Sequence, residues 1–171
     1  MRLRPYIAGR DFDVIKNWIT DRREHALWCA DRFDFPVGNE NFNAVLSGHA
    51  EQYGDCAFVA TDDSGKPEGF FCYSVNLATN EGMLKFVMID PAERGKGYGK
   101  EMLRLAVKFA FDITKADAVQ LMVFTANSGA EKCYKDVGFT ERRTDRGAFT
   151  FGDETWDRCN MVIKKQEQTE R

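Results

Sequence analysis

Residues 90–103 read DPAERGKGYGKEML, and the elements on either side depend on how this stretch is interpreted. The apolar run MLKFVMI precedes it at 83–89, and apolar residues at helical spacing follow it. Glycine stands at every second position, 95, 97 and 99, with a basic or aromatic residue between. Glycine lets the backbone approach a ligand closely and adopt conformations that other residues resist. The stretch therefore predicts a glycine-rich loop between a strand and the start of a helix.

The chemistry that such a loop favours is anion binding. The first N–H groups of a helix have no partner within the helix, and its dipole adds about half a positive charge there. Arg94, Lys96 and Lys100 add mobile positive charge. Together these features favour a phosphate ester, most naturally a pyrophosphate. The alternative interpretation is a flexible loop with a solvated basic face.

Two common phosphate-binding motifs do not fit the loop. A nucleotide-hydrolysing P-loop requires a hydroxyl residue after its lysine, but Glu101 follows Lys100 here. A dinucleotide fingerprint requires G-x-G-x-x-G directly after a strand. Here the glycines give G-x-G-x-G, and residues 90–94 separate the apolar run from Gly95.

Outward from the loop, strand and helix patterns alternate along the chain. Strands are predicted near 3–6, 56–62, 70–78, 83–90, 118–126, 139–144 and 158–165, and helices at 10–19, 40–53, 97–114 and 128–138. Residues 20–38 are predicted to be irregular. The segment from Met83 to Thr125 should form a right-handed parallel crossover. We therefore expect an α/β fold, with a mixed sheet of about seven strands and helices on both faces.

Composition limits the class of protein. The 171 residues and 43% apolar content fit one globular domain. The net charge of −3 argues against a nucleic-acid partner. No apolar run approaches the roughly 18 residues that a membrane span needs, so no membrane partner is expected. The opening residues lack the apolar stretch of a signal peptide, which favours a cytoplasmic location.

Cysteine and histidine give no sign of a metal site. The five cysteines are widely spread and form no C-x-x-C pair, so they are interpreted as reduced and mostly buried thiols. His25 and His49 stand apart from each other and from any ligand motif. No metal is predicted.

One known family matches the loop and its surroundings. R-x-x-G-x-G at Arg94, Gly97 and Gly99 resembles the cofactor motif of the GNAT N-acetyltransferase superfamily. VMIDPAERGKGYGKEML is similar to that family's strand, Asp-Pro turn, loop and helix, and NSGAEKCYKDVGF at 127–139 resembles its second motif. The resemblance is specific from about Met83 to Phe139. The opening of the chain is loosely similar to ribosomal-protein-alanine and aminoglycoside acetyltransferases.

The resemblance implies a single N-acetyltransferase domain over residues 1–171, with a cofactor core at about 83–139. It implies acetyl-CoA as cofactor and acetyl transfer to a primary amine of a small molecule or a protein N-terminus. The pantetheine arm is expected to add as a pseudo-strand where two central parallel strands splay apart. The amide of Met88 or Ile89 is the implied donor to the thioester oxygen. The implied cofactor-binding residues are Val87, Met88, Ile89, Arg94, Gly95, Lys96, Gly97, Tyr98, Gly99, Lys100 and Asn127.

Tyr134 is the predicted catalytic residue. It lies in Y-x-x-x-G-F, which matches the position of the family's general acid, and a phenol can protonate the leaving thiolate. The alternative is a core tyrosine on an amphipathic helix. Asn127 similarly could bind cofactor or only cap a helix.

The general base is left unassigned by the sequence. Many family members carry a Glu on the strand before the loop, and the predicted strand at 83–90 has no such residue. Glu81, Glu154 and Asp157 are alternatives, each also interpretable as a surface carboxylate, and proton loss through ordered water is equally open.

The resemblance implies that the acceptor enters from the side of the early helices and the last hairpin, where aromatic and acidic residues lie. They could receive a cationic amine, or they could form only a satellite apolar cluster with solvated charges. These residues are Trp28, Phe33, Phe35 and Trp156, with Asp31, Asp34, Asp153, Glu154 and Asp157.

Three functional hypotheses follow. The first is an acetyl-CoA-dependent N-acetyltransferase, and the second is an acetyl-CoA-binding sensor or scaffold without turnover. The third is an acyl-enzyme on Cys133, ranked last because no histidine lies near it in the sequence. An exposed edge strand would be compatible with a homodimer.

Overall fold

A computed structural model describes residues 1–166 of the chain. Within them, seven strands form one mixed sheet, in the order β1-β2-β3-β4-β5-β7-β6. The strands are β1 Arg2–Pro5, β2 Cys56–Thr61, β3 Pro67–Asn76, β4 Glu81–Ile89, β5 Ala118–Phe124, β6 Thr140–Phe151 and β7 Glu154–Lys164. The helices are α1 Ala8–Ile15, α2 Arg22–Cys29, α3 Asn39–Tyr53, α4 Tyr98–Asp112 and α5 Ser128–Val137. The predicted α/β fold with a mixed sheet is confirmed.

Helices cover both faces of the sheet. Met102 and Ala106 of α4 and Tyr134 of α5 join one buried cluster with Leu121 of β5. On the other face, Phe12 of α1, Cys29 of α2 and Phe42 of α3 pack against Phe70 and Phe86. Each sheet face therefore buries its own apolar residues, as the layered architecture requires. None of the helices among residues 1–166 is both long and apolar enough to cross a membrane.

The prediction that residues 20–38 are irregular is wrong, because α2 lies there. Its N-cap is Asp21, whose side chain accepts a hydrogen bond from the Glu24 N–H at 2.9 Å. The helix begins with charged residues and buries only His25, Ala26 and Cys29, so its apolar spacing is too weak to detect. The signal that could have found it is the three-residue spacing from Asp21 to Glu24, which is that of a capping box.

The last hairpin is longer than predicted. β6 and β7 pair from Thr140 to Phe151, with Gly152 at φ +55° in the tight turn. The predicted strands at 139–144 and 158–165 cover only the base of this hairpin. β6 is an edge strand whose residues are largely exposed, so no alternation of apolar residues marks its outer half.

The parallel pair predicted around the loop is confirmed, and it opens into a fork. β4 pairs with β5 only from Glu81 opposite Ala118 to Leu84 opposite Leu121, although both strands continue. Beyond that point the register between β3 and β4 shifts, and Phe86 has φ +52°. A bulge of this kind bends a strand and increases its twist. The bulge therefore accounts for the separation of β4 from β5 after Leu84.

Candidate functional site

A cavity of about 730 Å³ occupies the fork between β4 and β5. Its walls come from Leu84–Ile89, from Leu121–Val123 and from parts of α2, α4 and α5. Ten residues predicted as site residues line it: Val87, Met88, Ile89, Arg94, Gly95, Gly97, Gly99, Lys100, Asn127 and Tyr134. Lys96 and Tyr98 lie in the same loop but are not among the lining residues.

The glycine loop has a backbone that only glycine adopts without strain. Gly95 has φ +78° and Gly97, the N-cap of α4, has φ +87°. Gly99 has no positive φ, and a Cβ there would lie in van der Waals contact with Cys133 Sγ at 3.4 Å. Within residues 1–166 no side chain caps α4, so its first N–H groups face the cavity end of the helix without a partner. These features fit a phosphate ester.

The basic side chains of the loop are held by carboxylates. The ion pairs are Arg94 with Glu24 at 3.1 Å, Lys96 with Glu93 at 2.8 Å and Lys100 with Asp136 at 2.7 Å. Hydrogen bonds from Lys100 and Lys132 lower the pKa of Asp136 to about 2. An anion at the loop would compete with these carboxylates for the same cations.

Tyr134 reaches the cavity from α5. Its side chain is 7% exposed, and its ring meets Phe139 edge-on at 6.1 Å. Among the hydrogen bonds of the described residues, none involves its hydroxyl. Burial raises the pKa of Tyr134, with a smaller contribution from Cys133. The phenol is therefore neutral at physiological pH and keeps a proton that it can donate.

Asn127 and Cys133 flank the same wall. The Asn127 side chain accepts a hydrogen bond from the Ala130 N–H at 3.3 Å, so it caps α5 while also lining the cavity. Cys133 is half-buried, and burial raises the pKa of its thiol. It has no hydrogen-bond partner among residues 1–166, and so lacks the adjacent base that an acyl-enzyme needs.

The three carboxylates considered as base are engaged elsewhere. Glu81 lies within β4 rather than before it, and accepts hydrogen bonds from Arg142 at 2.8 Å and Gln120 at 3.0 Å. The hydrogen bond from Arg142 and the positive charges of Arg142 and Lys164 lower the pKa of Glu81, against a smaller opposing effect of burial. Glu154 pairs with Arg23 and Asp157 with Arg146. None of the three lines the cavity.

Glu24 is a cavity carboxylate that the sequence did not reveal. It lies in the first turn of α2, where irregular structure was predicted, and it joins that helix to the loop through Arg94.

Of the predicted acceptor side, only Trp28 lines the cavity. Its ring stacks on Phe33 at 4.9 Å. Phe33 itself is buried, and Trp156 packs in a separate cluster with Phe124. None of the predicted acidic residues lines the cavity.

A second cavity of about 130 Å³ adjoins the first on the α2 side. The two share Leu27, Trp28, Leu84, Lys85, Phe86, Met122 and Val123. Arg32 and Arg158 line only the smaller one. In the part of the chain that the structure describes, no group of His, Cys, Asp and Glu residues could hold a metal ion.

A family model described as "Acetyltransferase (GNAT) family" matches residues 15–139. A relative described as an uncharacterised N-acetyltransferase of Methanocaldococcus jannaschii is 30% identical over 95 residues. That alignment covers 53% of this chain and 42% of the relative, so the chain spans less than half the length of that protein.

Solved structures of one bacterial enzyme share the fold. The spermidine N-acetyltransferase of Vibrio cholerae in complex with CoA and spermine has a TM-score of 0.80 and 22% identity, covering 95% of this chain and 94% of that one. The same enzyme in complex with manganese ions has a TM-score of 0.73 and 20% identity, covering 95% and 91%. At this level of identity, the likeness shows the fold alone.

Proposed function

Because the chain belongs to the GNAT acetyltransferase family, we propose that it moves the acetyl group of acetyl-CoA to a primary amine of a small molecule or protein N-terminus. One observation carries this proposal. A single cavity brings together an uncapped helix start, the open side of a bulged strand and a buried, protonated tyrosine. Residues 1–171 would act as one domain, with the cofactor core at 83–139.

When bound, acetyl-CoA supplies a thioester that an amine can attack. The amides around Gly95, Gly97 and Gly99 bind its phosphates, with Arg94, Lys96, Tyr98 and Lys100 around them. β4 beyond Leu84 has no strand partner on its β5 side, so the backbone at 87–89 is free to pair with an amide-containing chain. Asn127 caps the N-terminus of α5 and so positions this helix, which forms the cavity wall that carries Tyr134.

The proton chemistry is assigned to two places. The amide of Met88 or Ile89 donates to the developing oxyanion, and Tyr134 donates its proton to the leaving thiolate. The carboxylates that line the cavity, Glu24, Glu93 and Asp136, are all held in ion pairs. Their partners are the basic side chains of the loop, so these carboxylates lie where the phosphates would bind and not at the thioester, and we assign the proton of the amine to water in the cavity.

The test is release of the CoA thiol from acetyl-CoA with a panel of amines, alongside calorimetry with CoA. We expect micromolar to millimolar binding and turnover with at least one amine. Spermidine and spermine belong in the panel, since the structural relatives are spermidine N-acetyltransferases and one of them is in complex with spermine. Binding without turnover by any amine would favour the sensor or scaffold, and absence of binding would reject both.

A covalent acetyl adduct on Cys133 would support the acyl-enzyme instead. Mass spectrometry of the protein after incubation with acetyl-CoA alone detects it, and we expect no adduct because the thiol has no base beside it.

A further inference from the structure

The smaller cavity, of about 130 Å³, is lined by positively charged side chains. It lies beside the fork between β4 and β5, where an acceptor amine would enter. It is lined by Leu84–Phe86 and Met122–Phe124, so it lies against the edges of both splayed strands. Three lining residues are cationic, namely Arg32, Lys85 and Arg158, and within residues 1–166 no carboxylate lines it.

These cations differ in how far their charge is neutralised. Lys85 Nζ lies 2.8 Å from Asp55 Oδ1, and Asp55 is buried, so this pair is closely compensated. Arg158 reaches Asp145 with only one nitrogen, at 3.3 Å, and its Nε is buried without a partner in the described chain. Arg32 is exposed and forms no ion pair among the described residues. Arg32 is therefore the cation of this cavity without an ion pair among the described residues, and Arg158 is compensated through a single contact with Asp145.

The lining also holds hydrogen-bond donors that lack acceptors. Trp28 Nε1 and Arg158 Nε are both buried, and neither has a partner in the described part of the chain. A buried donor without an acceptor costs free energy, which an oxygen acceptor of a ligand would recover if it reached the donor. An ammonium group brings only further donors.

We propose that the acceptor carries an anionic group, a carboxylate or a phosphate, in addition to its amine, and that Arg32 and Arg158 bind that group. This inference rests on the proposed function and names its substrate class. A guanidinium matches the two oxygens of a carboxylate or phosphate in a bidentate fork. A polyamine would instead place a second ammonium beside two guanidinium groups, which like-charge repulsion disfavours.

The size of the cavity agrees with a small anionic group. A volume of about 130 Å³ is several times the roughly 10–15 Å³ that one enclosed water molecule needs. A carboxylate or phosphate on a short carbon chain fits this space. The amine at the other end of the chain would then extend into the larger cavity, which adjoins the smaller one at their shared lining residues.

The experiment compares four amines of one chain length that differ only at the far end. They are pentylamine, cadaverine, aminovalerate and aminopentyl phosphate, which end in a methyl, an ammonium, a carboxylate and a phosphate. Charge-assisted hydrogen bonds lead us to expect kcat/KM about 10- to 100-fold higher for an anionic amine than for cadaverine. The better of the two anionic compounds identifies the group. Equal rates, or a preference for cadaverine, would overturn the inference.

Arg32 is the residue to vary, because it is exposed and its replacement should not disturb folding. Arg32→Glu should reverse the preference between aminovalerate and cadaverine, whereas Arg32→Lys should retain most of it. Arg10→Glu is the matched control, a charge reversal at an exposed arginine on α1 that lines neither cavity. A preference left unchanged by Arg32→Glu, or changed equally by Arg10→Glu, would also reject the assignment.

A binding measurement separates this inference from the proposed function. Saturation-transfer NMR detects valerate, which has the carboxylate but no amine, on the CoA-loaded protein. Valerate binding that Arg32→Glu abolishes would support the anion site even if no amine were acetylated. Turnover without any Arg32-dependent valerate binding would support the enzyme and reject the anion site.

Discussion

Tyr134 is the side chain whose removal should affect chemistry most and structure least. Phenylalanine keeps the ring and its contact with Phe139 but lacks the hydroxyl proton that this side chain can donate. We expect Tyr134→Phe to lower kcat by about 10²- to 10⁴-fold, the usual contribution of a general acid. CoA affinity should change little, because no hydrogen bond of the hydroxyl is lost. Steady-state assays of thiol release measure kcat, and calorimetry measures the affinity for CoA.

Tyr73→Phe is the control for that substitution. Tyr73 is also buried against the same cluster, but its hydroxyl bonds Thr114 at 2.7 Å and it lines neither cavity. It should lose some stability and keep its turnover rate. Equal losses of kcat in both variants would show that Tyr134 acts through packing instead.

Residues in a contiguous motif could be predicted from the sequence, and residues assembled from distant segments could not. Gly97, Gly99 and Tyr134 are recognisable because their spacing is itself the signal. Arg32 and Arg158 are 126 positions apart and line the same cavity only because the segment after α2 and strand β7 both border it. Arg32 also follows a helix that carries almost no apolar pattern.

The loop and the start of α4 act as one element. Gly97 serves it in two ways, because it adopts a positive φ and leaves space for a ligand. Alanine at φ +87° costs about 1–2 kcal/mol of backbone strain. A Cβ at Gly97 meets no protein atom within 4 Å, and the residue lines the cavity, so the methyl group would occupy ligand space. We expect Gly97→Ala to weaken CoA binding at least tenfold by calorimetry, with a fall in melting temperature of a few degrees.

Gly152→Ala separates strain from ligand contact. Gly152 has φ +55° in the β6–β7 turn, has open space around it and lines neither cavity. It should show a similar fall in melting temperature with unchanged CoA affinity. If Gly97→Ala also left CoA affinity unchanged, the loop would not be the phosphate site.

The contact between α2 and the loop should oppose cofactor binding. Arg94 and Glu24 are each about half exposed and pair at 3.1 Å, and a phosphate at the loop would compete with Glu24 for Arg94. Exposed pairs contribute about 0.2–1 kcal/mol, so Glu24→Gln should tighten CoA binding by up to about fivefold. Glu40→Gln, in the first turn of α3, is the matched control. Unchanged or weaker CoA binding in Glu24→Gln would show that Arg94 does not move to the cofactor.

Among the helices and strands, apolar periodicity predicted those that bury many apolar residues and missed those whose residues are mostly polar. α4 buries apolar residues at helical spacing and β5 buries most of its residues, and both were located within a few positions. α2 is instead joined to the start of β7 by the contact of Arg23 with Glu154, two residues that lie 131 positions apart. No local pattern in the sequence records such a contact.

For the molecule as a whole, the layers and strand order follow from the sequence, but the fork does not. The alternation of strands and helices implies the mixed sheet, whereas the bulge at Phe86 leaves no mark in MLKFVMI. Only the family resemblance led to the expectation of splayed strands. A homodimer formed through an exposed edge, β1 or β6, stays a prediction that sedimentation would test.

The stability of the whole fold at low pH should depend on one buried ion pair near the N-terminus. Asp11 is completely buried and accepts two hydrogen bonds from Arg4, each at 2.7 Å, and one from the Ile7 N–H at 2.8 Å. These bonds tie β1 to α1. Burial acts to raise the pKa of Asp11, but the hydrogen bonds from Arg4 and Ile7, with the charges of Arg4 and Arg10, outweigh it, and the pKa is lowered.

A lowered carboxyl pKa fixes the sign of the pH dependence. The stabilisation is complete above the unfolded-state pKa of about 3.9 and is lost as the pH falls through the folded-state value. Asp11→Asn should lower the free energy of unfolding at pH 7 by about 3 kcal/mol, the low end for breaking a buried pair, because Arg4 keeps 22% of its exposure. The deficit should shrink below pH 4 in urea unfolding curves.

Asp13→Asn is the control, because the Asp13 side chain is 82% exposed, and it should change the free energy of unfolding by less than about 0.5 kcal/mol. A deficit that stayed constant from pH 7 to pH 3 would mean that Asp11 stabilises the fold without its charge.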